Sequence, residues 1–166
     1  TPATDAIVST GPKLMEPQCA DVDLHKQPVI IDTPAGAVED VGEAIVLADY
    51  AVMVVRPTLL DLAGLVRTLT MVRRLGMPST VVVNQAPIAR EGSEAPVVKR
   101  ALRGLEYMQA PLAPVILRGR AIYQTALETG RSVEEMADKA AAREVAALWA
   151  FIDERLAQAR EAAQAS

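Results

Sequence analysis

Four apolar runs in this chain end in short polar segments: Asp32-Thr33-Pro34, Arg56-Pro57-Thr58, Asn84-Gln85-Ala86, and the stretch from Arg118 to Arg120. A carboxylate such as Asp32 at the end of a buried strand suits a magnesium ion held through its water shell beside a nucleotide phosphate. Judged by itself, Asp32 reads first as a turn residue or the cap of the following helix. The Asn84 amide can donate to and accept from a purine edge, or close a local turn on its own backbone. Arg118, Arg120 and Arg131 have the chemistry to meet phosphates or an acidic partner, and equally that of solvated surface arginines. Lys99, Arg100 and Arg103 read as the wet face of one helix. His25, the single histidine, has no Cys or Glu cluster near it, and Cys19 lacks a helix start or basic neighbour, so neither reads as a metal ligand or reactive thiol.

The elements that would position those segments follow from the apolar pattern. Pro28-Val-Ile-Ile-Asp32 is a short β-branched run and reads as a strand buried on both faces. A helix from Val38 to Ala48 follows, with Val41, Ala44, Ile45 and Ala48 at helical spacing. Tyr50 to Val55 reads as a second buried strand, and Leu62, Leu65, Val66, Leu69 and Val72 mark the next helix, ended by Gly76 and Pro78. Thr80 to Val83 is the third strand, Ala95 to Tyr107 a helix, and Ala113 to Leu117 the fourth strand. The remainder is helical: Arg120 to Thr129, stopped by Gly130; a capping box at Ser132-Val-Glu-Glu135 opening the next helix; and Ala141 to Ala163, burying Val145, Leu148, Trp149, Ile152 and Leu156. This alternation predicts an α/β fold, a parallel sheet covered by helices with a ligand crevice at the carboxyl ends of the strands. The expected organisation is an irregular segment over 1–27 and an α/β domain over 28–166.

Composition narrows the classes. The 166 residues are 51% hydrophobic but only 3% aromatic, so the core is aliphatic, as in helices packed on a buried sheet. The formal net charge of -4 argues against tight nucleic-acid binding by bulk charge, while leaving room for a local basic patch. One cysteine makes no internal disulfide, and the most apolar stretch, Ala44 to Val66, is broken by Asp49, Arg56, Pro57 and Asp61. A cytoplasmic protein with no membrane contact is expected.

In order and spacing, these segments resemble the later part of the ParA/MinD family of partitioning ATPases, the deviant P-loop group. The strings are Val29-Ile-Ile-Asp-Thr-Pro34, Ala48-Asp-Tyr-Ala-Val-Met-Val-Val-Arg-Pro57 leading to Leu60-Asp-Leu62, Val81-Val-Val-Asn84, and Arg120 through Gly130-Arg-Ser-Val133 into Arg143-Glu144. The resemblance covers residues 28 to 155 and shifts Asp32 to the functional reading. It implies a P-loop NTPase-like fold, ATP and magnesium as cofactors, and an ATP-gated homodimer that segregates plasmids or chromosomes or positions cellular cargo. By the same resemblance Asp32 would order the magnesium and the attacking water, Asn84 would bond the adenine, and Pro114 would border the adenine pocket. Arg120, with Arg118 beside it, would fall where relatives carry basic residues for non-specific DNA binding, and a ParB-like protein would be the partner.

The chain departs from the family pattern at one point. Members begin with a strand and a glycine-rich loop carrying two lysines, whose amides cradle the phosphates. Gly11-Pro-Lys13 has no glycine neighbours, no hydroxyl residue after the lysine, and a proline without an amide donor. The expectation is therefore an incomplete fold lacking the first strand, the phosphate loop and the first helix, inactive in ATP hydrolysis on its own. The alternative is a non-catalytic ParA-like module for protein interaction or dimerisation, pairing through an exposed sheet edge.

Overall fold

The structure, a computed structural model, describes residues 29–33 and 38–165. The chain divides into two units, Thr1–Ala48 and Asp49–Ser166. Expectations for 1–28, including those for Gly11-Pro-Lys13, Cys19 and His25, lie outside the described residues.

In the first unit, Val29 to Thr33 adopts neither helix nor strand, and Ile30 is 73% exposed. The buried strand expected over Pro28–Asp32 is therefore corrected. An apolar, β-branched run favours extended backbone, but a strand also needs a neighbour for its N–H and C=O groups, and among the described residues this run has none. Helix α1 (Val38–Leu47) follows, close to its expected span, with Ile45 buried.

In the second unit, β1 (Ala51–Val55), β2 (Ser79–Ala86) and β3 (Leu112–Arg118) form a parallel sheet in the order β1-β2-β3. Helix α2 (Leu59–Arg74) joins the first two strands and α3 (Pro96–Tyr107) the second and third. Strands added consecutively in one direction place both right-handed crossovers on the same face. The two helices accordingly touch.

β2 is central, and Thr80, Val81, Val82 and Val83 are all buried, the pattern of a strand covered on both faces. β1 is terminal: Met53 and Val55 are buried, whereas Val52 and Val54 are exposed, the latter by 59%. Of the two strands of this unit expected to be buried throughout, only β2 is, because β1 has α2 against it and, among the described residues, no strand beyond it. On β3, Pro114 lies between Leu112, level with Val81, and Ile116, level with Val83, where the ladder slips. A residue without an amide donor is tolerated at such an irregularity in an edge strand.

Helix ends carry the expected turn chemistry. Gly76 ends α2 at φ +65, donating to Arg73 O at 3.1 Å while Met77 donates to Val72 O at 3.1 Å, a Schellman pair. α3 ends the same way, but its left-handed residue is Gln109 at φ +52, which donates to Glu106 O at 2.8 Å. Gln109→Gly should thus raise stability by about 0.5–1 kcal/mol, read as a shifted urea midpoint at unchanged m-value. An unchanged or lower midpoint would show that the left-handed residue carries no strain. Across this junction the Arg73 guanidinium donates to Met108 O at 2.7 Å and Gln109 O at 2.8 Å, tying the two helix ends together.

After β3 come α4 (Ile122–Glu128), ended at Gly130, a 3-10 turn at Val133–Glu135, and α5 (Lys139–Gln164). The Ser132–Glu135 capping box is present, but it opens the 3-10 turn. The long helix has its own cap, Asp138, whose Oδ1 accepts from the Ala140 and Ala141 amides at 3.0 Å each. α5 packs on β3 and the 3-10 turn. At about 1.5 Å per residue it is about 39 Å long, against about 23 Å for the seven residues of β3, so its apolar stripe is only partly covered. Val145, Leu148, Ile152 and Leu156 are half-buried and Trp149 is 44% exposed, which corrects the expectation of a buried stripe. Among the described residues no helix is long and apolar enough to cross a membrane.

Candidate functional site

Because the strands are parallel, their carboxyl ends share one edge of the sheet, the place where open α/β sheets take their ligands. Each segment picked out by sequence within the second unit is found there. Their side chains are engaged differently from one strand to the next.

At the end of β1, Arg56 is joined to Asp61: its N–H donates to Oδ2 at 3.1 Å, its Nε to Oδ2 at 2.7 Å and its Nη2 to Oδ1 at 3.2 Å. Thr58 Oγ1 accepts the Asp61 amide at 3.2 Å and caps α2. This segment is a helix-starting device. The Arg56 guanidinium holds the Asp61 carboxyl below its ordinary range, in an exposed setting where such a pair contributes little to stability.

At the end of β2, Asn84 Oδ1 accepts the Gln85 amide at 2.8 Å, the local turn bond its type allows. Gln85 sits at φ +53, and the four residues Val83 to Ala86 run opposite only the three from Ile116 to Arg118, which is a bulge. The Asn84 amide nitrogen and the Gln85 side chain have no hydrogen-bond partner among the described residues. Pro114 does not join them: it is exposed on β3, about 7 Å back along the strand from the level of Val83. Asp32 belongs to the other unit and is exposed.

The end of β3 carries the densest polar cluster. Arg118, its side chain 14% exposed, makes a forked pair with Glu94, Nη1 to Oε2 at 2.7 Å and Nη2 to Oε1 at 2.6 Å, and Nη1 also donates to Pro87 O at 3.0 Å. Arg120, 18% exposed, donates through Nη2 to Glu144 Oε1 at 2.6 Å, with Asp138 Oδ2 4.0 Å from Nη1. Glu144 Oε2 in turn accepts the Arg118 amide at 3.1 Å. Arg120 Nε and Tyr123 OH are buried beside these groups without a hydrogen-bond partner among the described residues. Burial, reinforced by Glu144, pushes the Tyr123 hydroxyl above its ordinary pKa.

The two arginines expected to face DNA are thus engaged by carboxylates of their own chain. In the sequence Glu94 was not singled out, and Glu144 entered only as part of the resemblance, without a role as a partner. Glu94 lies 24 residues before Arg118 and Glu144 24 residues after Arg120, beyond any local spacing rule. The usable signal was two arginines flanking a glycine at a strand end, since such charges are half-buried only when paired. Among the described residues no group of three or more His, Cys, Asp or Glu side chains is gathered to hold a metal ion.

The Arg118 bond holds the Glu94 carboxyl below its ordinary range, and the Ala141 amide, with that of Ala140, does so for Asp138. A depressed carboxyl contributes stability that is complete above its unfolded pKa and lost as pH falls through its folded one. Stability should therefore decline on acidification below the ordinary carboxylate range, and Glu94→Gln should make that decline shallower in urea midpoints followed against pH. An identical slope in the variant would remove Glu94 from the acid transition.

Neither a protein-family model nor a curated protein sequence matches this chain.

Proposed function

We propose that this chain supplies the carboxy-terminal share of a ParA/MinD-type nucleotide switch, in which Mg-ATP enters the crevice at the carboxyl edge of the sheet and gates dimerisation for partitioning. One observation carries the reading: consecutive parallel strands open onto a single edge that gathers Arg56-Pro57-Thr58, Asn84-Gln85 and Arg118-Gly119-Arg120. The amide nitrogen of Asn84, without a partner among the described residues, fits a purine acceptor, which supports its assignment to adenine. Asp32 as the residue ordering magnesium through water, Pro114 at the pocket border, the homodimer, non-specific DNA and a ParB-like partner enter through the resemblance alone. Hydrolysis needs a phosphate cradle and its lysines, which these 166 residues do not contain.

Calorimetric titration with Mg-ATP tests the reading. The chain by itself should give no heat beyond dilution, and the chain joined to the coding sequence upstream of Thr1 should bind in the micromolar range. In that longer protein Asp32→Ala should leave folding intact and abolish the magnesium-dependent response. Micromolar binding to the chain alone, or no binding to the longer protein, would sink the proposal.

A second reading, a module that pairs through its sheet edge, is favoured by Val52 and Val54, exposed on the terminal strand. Light scattering separates the two: twice the chain mass without nucleotide supports pairing, and a well-folded monomer counts against it.

A further inference from the structure

The loop between β2 and α3 is tied to β3 by one side chain. Arg90 and Ser93 exchange backbone bonds of 3.1 and 2.8 Å across Glu91 and Gly92, at φ +50 and +73, a tight two-residue hairpin with an exposed tip. Lys99 Nζ donates to Ser93 Oγ at 2.7 Å from the helix that follows. Toward β3, the side-chain bonds of this loop among the described residues are those of Arg118, which holds Pro87 O at one base and Glu94 at the other.

The forked Arg118–Glu94 geometry is the one a guanidinium also offers to a phosphate. Glu94 leads into α3, whose N-terminus has no side-chain cap and no acidic residue in its first turn, so that a negative group near it is favoured. The cluster sets two guanidiniums, Arg118 and Arg120, against three carboxylates, Glu94, Glu144 and Asp138. In this state the edge offers an anion no unspent charge from those arginines, and withdrawal of Glu94 evens the balance.

We propose that the end of β3 is a binding site for phosphate-class anions kept closed by the chain's own Glu94: an incoming phosphate takes the Arg118 fork, Glu94 is released, and the loop from Pro87 to Ala95 comes free. The site does not depend on the nucleotide reading. Its probe, pyrophosphate, carries no base, so a pyrophosphate response without Mg-ATP binding would separate the two.

Limited trypsinolysis reports the loop directly, because Arg90 stands at its tip. Pyrophosphate should speed cleavage after Arg90 in the unaltered chain relative to cleavage elsewhere. Glu94→Gln should be cut quickly without ligand and bind pyrophosphate about tenfold more tightly than Glu91→Gln, which removes the same charge from the same loop. Arg118→Gln should be cut quickly and be indifferent to pyrophosphate. A duplex DNA arm distinguishes the source: an effect equal to that of pyrophosphate assigns the site to nucleic-acid phosphates, and an effect of pyrophosphate alone assigns it to small phosphates. Unchanged cleavage of the unaltered chain overturns the proposal, as does equal affinity in the two glutamine variants. If Glu94→Gln fails to fold, the arm on the unaltered chain decides alone.

Discussion

Leu105→Ala is expected to destabilise the second unit by about 3 kcal/mol, within the range for emptying a fully buried leucine site. Leu105 is 0% exposed, and with Val98 and Ala101 it forms the buried face of α3. Its carbonyl also accepts the Ala110 amide at 2.9 Å in the Schellman pair ending α3, so backbone and side chain meet at one residue. The side chain is removed from a helix that packs against α2, and a rigid neighbour collapses poorly into the gap. For a unit of this size about 3 kcal/mol corresponds to a fall of about 10 °C in Tm, measurable by calorimetry. Leu59→Ala supplies the contrast: the same atoms are lost from a site 82% exposed, and the change should stay within about 0.5 kcal/mol. Equal losses for the two would mean that α3 does not cover the core as drawn.

Two segments of nearly the same local composition show where sequence reading succeeds and where it ends. Val81-Val-Val83 and Val29-Ile-Ile31 are both short, apolar and β-branched, and both read as strands buried on two faces. The first is the central strand, paired on both sides, and the second has no strand structure. Local sequence carries propensity; pairing partners, which decide whether the propensity is realised, lie tens of residues away. Helices α2 to α5 were legible because their apolar spacing and the stops at Gly76 and Gly130 act within a few residues. Trp149 was misread because helical spacing identifies a stripe without saying how far along the helix anything covers it. The edge residues were legible as polar ends of apolar runs, while their engagement was not: Asn84 proved to bond its own neighbour, and Arg118 and Arg120 proved to be held by Glu94 and Glu144.

Arg120→Ala should be among the costliest changes at the edge. Glu144 bridges two groups there, Arg120 through Oε1 and the Arg118 amide through Oε2, so that losing the guanidinium leaves a half-buried carboxylate with one neutral donor and Asp138 as a nearby like charge. Removing one partner of a buried pair costs about 3–5 kcal/mol, and at 18% exposure the lower end, about 3 kcal/mol, applies. Arg120→Lys should fall between, because it keeps the charge but not the fork that reaches Glu144 and Asp138 together. The informative measurement is the double-mutant cycle: Arg120→Ala with Glu144→Ala should cost less than the sum of the single changes, by at least about 1 kcal/mol in urea midpoints. Additivity, with Arg120→Ala costing under about 0.5 kcal/mol, would instead describe a solvated arginine free to meet an external anion. The cycle therefore bears on chemistry as well as on stability: strong coupling makes Arg120 a fixed part of the scaffold, and leaves Arg118, whose carboxylate partner sits on a loop, as the guanidinium that an incoming phosphate can win.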